Sequence, residues 1–321
     1  MEMINILLVW AGVVIGLYMF IYYAFFAGAW CKSSTRLPGK TVIITGANTG
    51  IGKYTALKLA KRGARVILAC CNKQRGEAAV EDIKRDSGSS AVVFMQLDLA
   101  SLQSVRSFAE KFLKTEPRLD LLINNAGVVD AGRTVDGFGL MFGVNHLGHF
   151  LLTCLLLERL KEGDPSRVIN VSSIAHCSGQ IDFDCINTHK DLGLGDSFYR
   201  IMKTYGHSKL CNVLFTHELA KRLQGTNVTC YSLHPGIVKT EMGRNFNPWI
   251  KAAFEPIGRL FFLDAEAGAQ TTLHCALKKG IEPLSGRYFS CCAVEEVDAK
   301  ARDDAMAKKL WEVSERLTGL A

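Results

Sequence analysis

Short apolar runs rich in β-branched residues alternate with longer amphipathic stretches from residue 41 onward in this chain of 321 residues. Runs such as VIIT and LLIN show no apolar–polar alternation, which is typical of strands buried on both faces of a sheet. Strands at this spacing, each followed by a helix, predict a parallel sheet with helices on both faces. Ligands of such sheets bind beyond the carboxyl ends of the strands, so functional residues are expected there.

The predicted elements follow from this pattern and from the residues that cap helices. We expect strands at Thr41–Thr45, Arg65–Ala69, Ala91–Leu97, Leu119–Asn124, Arg167–Val171, Asn227–Leu233 and Arg287–Ser290. We expect helices at about 50–62, 75–86 and 101–114, a long helix between the fourth and fifth strands, and another from about residue 197.

The N-terminus differs from the rest of the chain because no charged residue lies between Met3 and Cys31. As a helix, the 25 apolar residues 6–30 would extend about 37 Å, more than the roughly 30 Å hydrocarbon core of a bilayer. A cleaved signal peptide is the alternative, but the leader carries Glu2 and no basic residue. We therefore expect a membrane anchor at 1–31 and a linker at 32–40, followed by a single catalytic domain at 41–321.

Charge and cysteine content narrow the class of protein further. Basic residues follow the apolar run directly, which places the large domain in the cytosol. The net charge of +7 is spread along the chain, which gives a nucleic-acid partner little support. The eleven cysteines include no Cys-x-x-Cys pair, so the sequence predicts a reducing compartment and no metal site.

A glycine-rich turn, TGANTGIG, joins the first strand to the first helix. Glycines allow a tight turn there, and the helix N-terminus favours the pyrophosphate of a dinucleotide. The turn does not match a Walker A loop, because Tyr54 follows Gly52-Lys53 and Ala47 stands where that loop needs glycine. ATP hydrolysis is therefore a poor interpretation.

Tyr205 and Lys209 lie four residues apart on a predicted helix and so share a face. An ammonium group near a phenol favours the phenolate, which lets tyrosine exchange protons closer to neutrality. Most such pairs lie on a solvated helix face. This pair gains weight because NNAG and a Ser-Ser pair end the fourth and fifth strands.

The ordered set TGANTGIG, NNAG, VNHLGHF, VINVSS, YGHSK and HPGIVKT resembles the "classical" short-chain dehydrogenase/reductase family from about Gly39 to the end. Within it, the sequence is most similar to the membrane-anchored retinol dehydrogenase-like group. The resemblance implies a Rossmann-type doubly wound parallel sheet in a single domain, preceded by one N-terminal transmembrane helix. It implies hydride transfer between a nicotinamide and an apolar alcohol or its aldehyde or ketone, on an endoplasmic reticulum membrane with the catalytic domain facing the cytosol.

The family's site residues carry over by motif to positions of this sequence. The catalytic set falls on Tyr205, Lys209, Ser173 and Asn145. The cofactor-binding residues fall on Gly46, Asn48, Thr49, Gly50, Ile51, Gly52, Lys73, Asp98, Leu99, Asn125, Ala126, Gly127, Tyr205, Lys209, Pro235, Gly236, Val238 and Thr240. Ser173 would hold the substrate oxygen, Tyr205 would move the proton, Lys209 would lower the pKa of Tyr205, and Asn145 would support a water chain.

The end of the second strand bears on the choice of cofactor. NAD-specific sites place an acid there for the ribose 2′-hydroxyl, whereas this chain has no carboxylate before Glu77. A 2′-phosphate could reach Lys73 or Arg75, so the sequence predicts NADP(H) over NAD(H). Relatives carry an arginine where Cys71 stands, which predicts a looser preference.

Three histidines lie near the carried-over residues. His146 and His149 flank Asn145 and could suggest a metal, but structural roles are the better interpretation because no carboxylate or cysteine joins them. His176 follows Ser173 and either lines the site or packs beneath it.

Between Thr240 and Asp264 the sequence departs from the shared scaffold. Apolar residues recur at three- and four-residue steps, which predicts an amphipathic helix at about 241–264 that forms a substrate lid. Packing on the chain's own domain is the alternative. The main prediction is thus an oxidoreductase acting on an apolar small molecule at a lipid membrane. The alternative function is a catalytically weak family member that serves as a membrane or lipid-surface interaction protein.

Overall fold

The structure, a computed structural model, describes Trp10 and residues 29–186, 198–239 and 262–321. The predicted membrane anchor, except Trp10 and residues 29–31, lies outside the described residues, as do Thr240 and most of the predicted lid. The described strands are β1 Thr41–Thr45, β2 Arg65–Cys70, β3 Val92–Gln96, β4 Leu121–Asn124, β5 Ser166–Val171, β6 Val228–Leu233, β7 Tyr288–Ser290 and β8 Ala293–Glu295.

These strands form one sheet in the order β3-β2-β1-β4-β5-β6-β7-β8. All neighbours are parallel except the antiparallel pair of β7 and β8. The predicted parallel sheet of a Rossmann-type fold is therefore confirmed. Its registers pair Thr45 with Ala69 and Asn124 with Asn170, so the residues after β1, β4 and β5 meet at one edge.

Helices cover both faces of the sheet. The described helices are α1 Gly50–Ala60, α2 Lys73–Ser87, α3 Leu102–Thr115, α4 Leu140–Lys161, α5 Phe198–Arg222, α6 Ala265–Gly268, α7 Gln270–Leu277 and α8 Asp304–Thr318. Within β1, Ile44 packs in a core with Leu59 of α1, whereas its neighbour Ile43 packs on the opposite face in a core with Phe108 and Phe150. This alternation on a fully buried strand explains the unbroken apolar run.

Helix α4 is, among the described residues, the one that is long and apolar enough to cross a bilayer. However, 78% of its most apolar window is buried inside the domain, so α4 is a core helix. Its segment Gly143–Leu147 is π-helical, an irregularity that the sequence pattern does not reveal. Single π turns of this kind occur frequently at functional sites.

The predicted linker at 32–40 packs along the domain. The hydroxyls of Ser33 and Thr35 both donate to the carbonyl of Leu277 at the end of α7, each at 2.9 Å. Arg62 donates to the carbonyl of Ser33, and the side chain of Leu37 enters the core. The chain that follows the predicted anchor is therefore held against α7.

The hairpin of β7 and β8 was not predicted in full, since the sequence analysis stops at one strand. Its two-residue turn is Cys291-Cys292, with φ of 47° and 58°. Such turns favour asparagine and glycine, so a cysteine pair gives no turn signal.

Candidate active site

The crevice at the carboxyl edge of the sheet opens between β1 and β4, where the strand order reverses. Gly46 has a φ of +65°, and a Cβ there would lie 2.9 Å from the Cα of Ala126. A Cβ on Gly52 would lie 2.6 Å from Nδ2 of Asn125. The glycine turn therefore lies so close to the end of β4 that neither position accepts a side chain.

The N-terminus of α1 faces this crevice and is open to an anion. Its N-cap residue, Thr49, makes no side-chain capping bond, and the first turn contains no acid. The first amides of a helix have no partner within the helix and carry a partial positive charge. Together with Asn48, Gly50 and Ile51, this turn fits the pyrophosphate of a dinucleotide.

Thr45 joins the glycine turn to the end of β4, a role that the sequence analysis missed. Its Oγ1 accepts hydrogen bonds from the backbone amides of Asn125 and Ala126, both at 2.9 Å. Its carbonyl accepts a bond from Nδ2 of Asn125 at 2.8 Å. The position of Thr45, directly before Gly46 and at the end of a buried strand, was the signal available in the sequence.

Residues after β2 and β3 border the same edge. Cys71 is exposed, and Lys73 begins α2 with its Nζ 3.9 Å from a carboxylate oxygen of Glu77. After β3, Oδ1 of Asp98 accepts a bond from the amide of Ala100 at 2.9 Å, which fixes this carboxylate within its own loop. Leu99, the next predicted residue, is buried.

Tyr205 and Lys209 lie in the buried part of α5, beside the end of β5. Tyr205 is 7% exposed, and its phenol interacts with the side chain of Ser173. Lys209 is 1% exposed, and its Nζ donates to the carbonyl of Val171 at 3.0 Å. The oxygen of Ser173 also accepts from the amide of Ala175 and caps a 3₁₀ turn at Ile174–Ser178. The structure thus brings three predicted catalytic residues together.

Burial shifts the pKa values of Tyr205 and Lys209 in the directions that favour their neutral forms. It raises the pKa of Tyr205 to about 12, and the nearby side chain of Ser173 opposes this rise. Burial lowers the pKa of Lys209 to about 8. The expected lowering by Lys209 stays a prediction, because the rise in the pKa of Tyr205 is the net effect of the groups around the phenol. Burial outweighs other effects on the phenol, while Nζ is bonded to Val171.

Asn145, the fourth predicted residue, lies in the π-helical segment of α4. Its Oδ1 accepts from the amide of Val128 at 2.8 Å, and its Nδ2 donates to the carbonyl of Val128 at 3.0 Å. Nδ2 also donates to Oγ of Ser208 at 3.0 Å. Asn145 therefore connects the segment after Gly127 with the helix that carries Tyr205 and Lys209.

The three histidines near the site all have protein partners. His146 contacts Ser314 and His149 contacts Thr45 through Nε2, at 2.9 Å and 2.8 Å. His176 packs beneath the site: its Nδ1 lies 2.8 Å from the carbonyl of Ser173, and its ring lies 4.7 Å from that of Tyr288. In the described part of the chain, no group of three His, Cys, Asp or Glu residues could hold a metal ion.

A pocket of about 180 Å³ lies at the end of β6, next to the loop that carries Pro235, Gly236 and Val238. Ile174, which follows Ser173, lines it and is 46% exposed. The described backbone on either side of residues 240–261 is held together there, because the amide of Lys239 donates to the carbonyl of Leu263 at 2.8 Å. Ala29, the residue before Trp30, also lines this pocket.

Comparison with known proteins agrees with this geometry. A family model described as short chain dehydrogenase matches residues 40–185 and 193–251. The chain is 51% identical to dehydrogenase/reductase SDR family member 13 of Bos taurus, over 98% of this chain and 82% of that protein. It is 48% identical to retinol dehydrogenase 12 of Homo sapiens, over 98% of this chain and 99% of that protein.

Solved structures share the fold. The chain matches an uncharacterised protein of Mycobacterium paratuberculosis with a TM-score of 0.72 and 34% identity, over 91% of this chain and 98% of that one. It matches Pseudomonas aeruginosa RhlG, solved with NADP in its active site, with a TM-score of 0.61 and 25% identity. That match covers 79% of this chain and 95% of that one.

Proposed function

This chain belongs to the short-chain dehydrogenase family, and we propose that it is an NADP(H)-dependent enzyme that interconverts an apolar alcohol and its aldehyde or ketone. Membership of the family makes it an oxidoreductase that acts on alcohol or carbonyl groups with NAD(P). The proposal adds the preferred cofactor, the apolar class of substrate and the four residues that perform the reaction. The observation that carries it is the buried phenol of Tyr205, which interacts with the side chain of Ser173, with Lys209 one helical turn further along α5.

In the direction of reduction, the hydroxyl of Ser173 donates a hydrogen bond to the carbonyl oxygen of the substrate and orients it. The phenol of Tyr205 donates its proton to the same oxygen as negative charge develops there. A positioned acid of this kind contributes roughly 10²–10⁴-fold to the rate. When bound, the cofactor supplies or accepts the hydride. In oxidation the protein steps are reversed, and Tyr205 takes the proton of the alcohol.

The ammonium of Lys209 stabilises the phenolate that Tyr205 leaves behind. Burial brings the pKa of Lys209 to about 8, so this side chain can both hold and release a proton near neutral pH. Asn145 fixes Ser208, the neighbour of Lys209, through Nδ2. It thereby keeps the buried end of α5 in register with α4 and supports the water chain that returns protons to Lys209.

Support for NADP(H) comes from charge at the end of β2. No carboxylate occurs between Cys70 and Glu77, so the 2′-phosphate of NADP meets no acid there. Lys73 begins α2 with its side chain 68% exposed, and it can exchange the long contact with Glu77 for a phosphate.

Support for an apolar substrate comes from the side chains around the catalytic residues. Ile174 and Ile237 line the pocket, and each is 46% exposed. Apolar groups exposed near a site favour an apolar ligand. Several relatives are named retinol dehydrogenases, which makes retinal the first aldehyde to test.

We also propose that residues 1–31 anchor the enzyme in the endoplasmic reticulum membrane, with the catalytic domain in the cytosol. The uncharged run from Met3 to Cys31 and the basic residues after it support this orientation. Because Ala29 lines the pocket, the predicted anchor would end beside the substrate site.

The substrate experiment uses the full chain in detergent micelles with NADPH and, separately, NADH. All-trans retinal, a medium-chain aldehyde and a steroid ketone are compared with a short soluble aldehyde. We expect turnover of at least one apolar carbonyl, with kcat/KM higher for NADPH. Turnover of none of them would contradict the proposed function and favour the catalytically weak alternative.

A further inference from the structure

His149 is a buried side chain of α4 whose two ring nitrogens both have partners. Its Nε2 lies 2.8 Å from Oγ1 of Thr45, and its Nδ1 lies 3.1 Å from the carbonyl oxygen of Asn145. The ring is 2% exposed and lies between the glycine turn and the π-helical segment. It touches no reacting atom in the mechanism above.

The bonds of Thr45 determine which nitrogen carries the hydrogen. A hydroxyl oxygen has two acceptor positions and one hydrogen. Both acceptor positions of Oγ1 are used by the amides of Asn125 and Ala126. The hydroxyl hydrogen therefore points to Nε2 of His149, since the other acceptor in reach, the carbonyl of Ile123, lies at 3.5 Å.

It follows that Nε2 accepts and that Nδ1 carries the hydrogen of a neutral ring. Nδ1–H then donates to the carbonyl of Asn145. The opposite tautomer would turn a nitrogen lone pair toward that carbonyl oxygen at 3.1 Å, which is repulsive. Burial, together with the nearby charge of Lys209, lowers the pKa of His149 to about 4, so the ring is neutral at physiological pH.

We propose that His149 is a positioning residue that couples the cofactor-binding turn to the backbone of Asn145. Its ring completes a chain of hydrogen bonds that runs from the amides of the NNAG segment through Thr45 and His149 to the Asn145 carbonyl. This proposal rests on the function proposed above, because Asn145 is one of the four residues of that mechanism. These hydrogen bonds hold the carbonyl of Asn145 in the π-helical segment in place and keep the glycine turn docked on β4.

His146 provides a matched control three residues earlier on the same helix. It is fully buried, and its Nε2 lies 2.9 Å from Oγ of Ser314 in α8. Because Oγ of Ser314 donates its own hydrogen to the carbonyl of Leu310 at 2.7 Å, it accepts from His146. His146 therefore carries its hydrogen on Nε2, the reverse of His149, and binds the C-terminal helix instead of the cofactor turn.

The test separates the two bonds of His149. His149→Gln keeps an acceptor for Thr45 but loses the donor to Asn145, whereas His149→Asn keeps the donor and loses the acceptor. With the full chain in detergent, we measure the Kd of NADPH by fluorescence and kcat with the best aldehyde of the panel. Each lost buried hydrogen bond is expected to have an effect of about tenfold. Gln should lower kcat and preserve Kd, Asn should raise Kd and largely preserve kcat, and His149→Leu should impair both.

A merely structural role would give a different pattern. In that case the variants would lose thermal stability, and Kd and kcat of the folded fraction would stay at parent values, as we expect for His146→Gln. That result for the His149 variants would overturn the proposal. So would a rise in Kd and a fall in kcat of the same size in both His149→Gln and His149→Asn. The split also does not depend on whether His149→Leu folds.

A readout without turnover is the tautomer itself. In full-length chain labelled with ¹⁵N-histidine, NMR should show the His149 ring protonated at Nδ1 and the His146 ring protonated at Nε2, each assigned by loss of its signal in the Gln variant. An Nε2–H tautomer for His149 would contradict the proposal. If no carbonyl is turned over, the proposed function fails, while the tautomer and the Kd of NADPH still decide the role of His149.

Discussion

The ammonium nitrogen of Lys209 lies 5.5 Å from the centre of the Tyr205 ring, in a part of α5 that solvent barely reaches. Burial makes the ammonium of Lys209 release its proton more readily and makes the phenol of Tyr205 hold its proton more tightly. Burial gives these groups pKa values of about 8 and about 12. In the proposed mechanism, the reaction therefore depends on the protonation of Lys209.

The first prediction concerns the pH dependence of reduction. The protonated form of Lys209 stabilises phenolate, and it is lost as pH rises through about 8. We expect kcat/KM for aldehyde reduction to be flat below that pH and to fall about tenfold per pH unit above it. Lys209→Arg should have a lower kcat/KM but should not show this fall at high pH, because arginine stays charged. Lys203→Arg, on the exposed part of the same helix, should keep the parent pH profile. The same fall above pH 8 in Lys209→Arg would refute the assignment of this fall to Lys209.

The second prediction concerns cofactor preference. Cys71 is exposed at the end of β2, where an arginine would place a guanidinium beside the 2′-phosphate. Cys71→Arg should increase the ratio of kcat/KM for NADPH over NADH by about tenfold, the size of one charge-assisted contact. Cys71→Met, which adds length without charge, should leave the ratio unchanged. The proposed preference would be wrong if kcat/KM of the parent enzyme with NADH equalled or exceeded kcat/KM with NADPH.

The third prediction concerns the lid, whose residues 241–261 lie outside the described part of the chain. On the expected amphipathic helix, Trp249 belongs to the apolar face and Lys251 to the polar face. If the apolar face covers the substrate and dips into the lipid interface, Trp249→Glu should raise KM for retinal far more than KM for a short soluble aldehyde. Lys251→Glu is the control and should change both KM values little.

The predicted lid should also bind membranes when the predicted anchor is absent. With residues 1–30 deleted, the remaining chain should still partition weakly onto liposomes, and Trp249→Glu should abolish that partitioning. Equal KM changes for both aldehydes, together with no liposome binding, would mean that the segment packs on its own domain.

Much of the fold could be predicted because its strands are buried on both faces. The apolar runs of β1 and β4 leave little choice of structure, and the observed bounds of β1 match the predicted ones at both ends. Helix α7 and strand β8 were not predicted. Helix α7, QTTLHCAL, has no clear polar face because it is almost wholly buried, and β8 follows a turn whose residues, Cys291 and Cys292, give no turn signal.

The candidate site was predictable as a set of motifs but not as a network. Tyr205, Lys209, Ser173 and Asn145 came from the family resemblance, and the structure brings them to one edge of the sheet. The sequence analysis preferred structural roles for His146 and His149, but it could not show that their rings contact different elements. The π-helical segment changes which way each residue faces, so a regular helical period could not separate them.

The most direct test of the proposed mechanism is Tyr205→Phe, assayed for reduction of the best aldehyde with NADPH. The substitution removes the one hydroxyl assigned to move the proton and keeps the ring that packs beside Lys209. Tyr199→Phe, on the exposed first turn of the same helix, controls for loss of a hydroxyl. We predict that Tyr205→Phe lowers kcat by roughly 10²–10⁴-fold with nearly unchanged Tm and Kd for NADPH, while Tyr199→Phe retains parent activity. Turnover by Tyr205→Phe at close to the parent rate would contradict the mechanism.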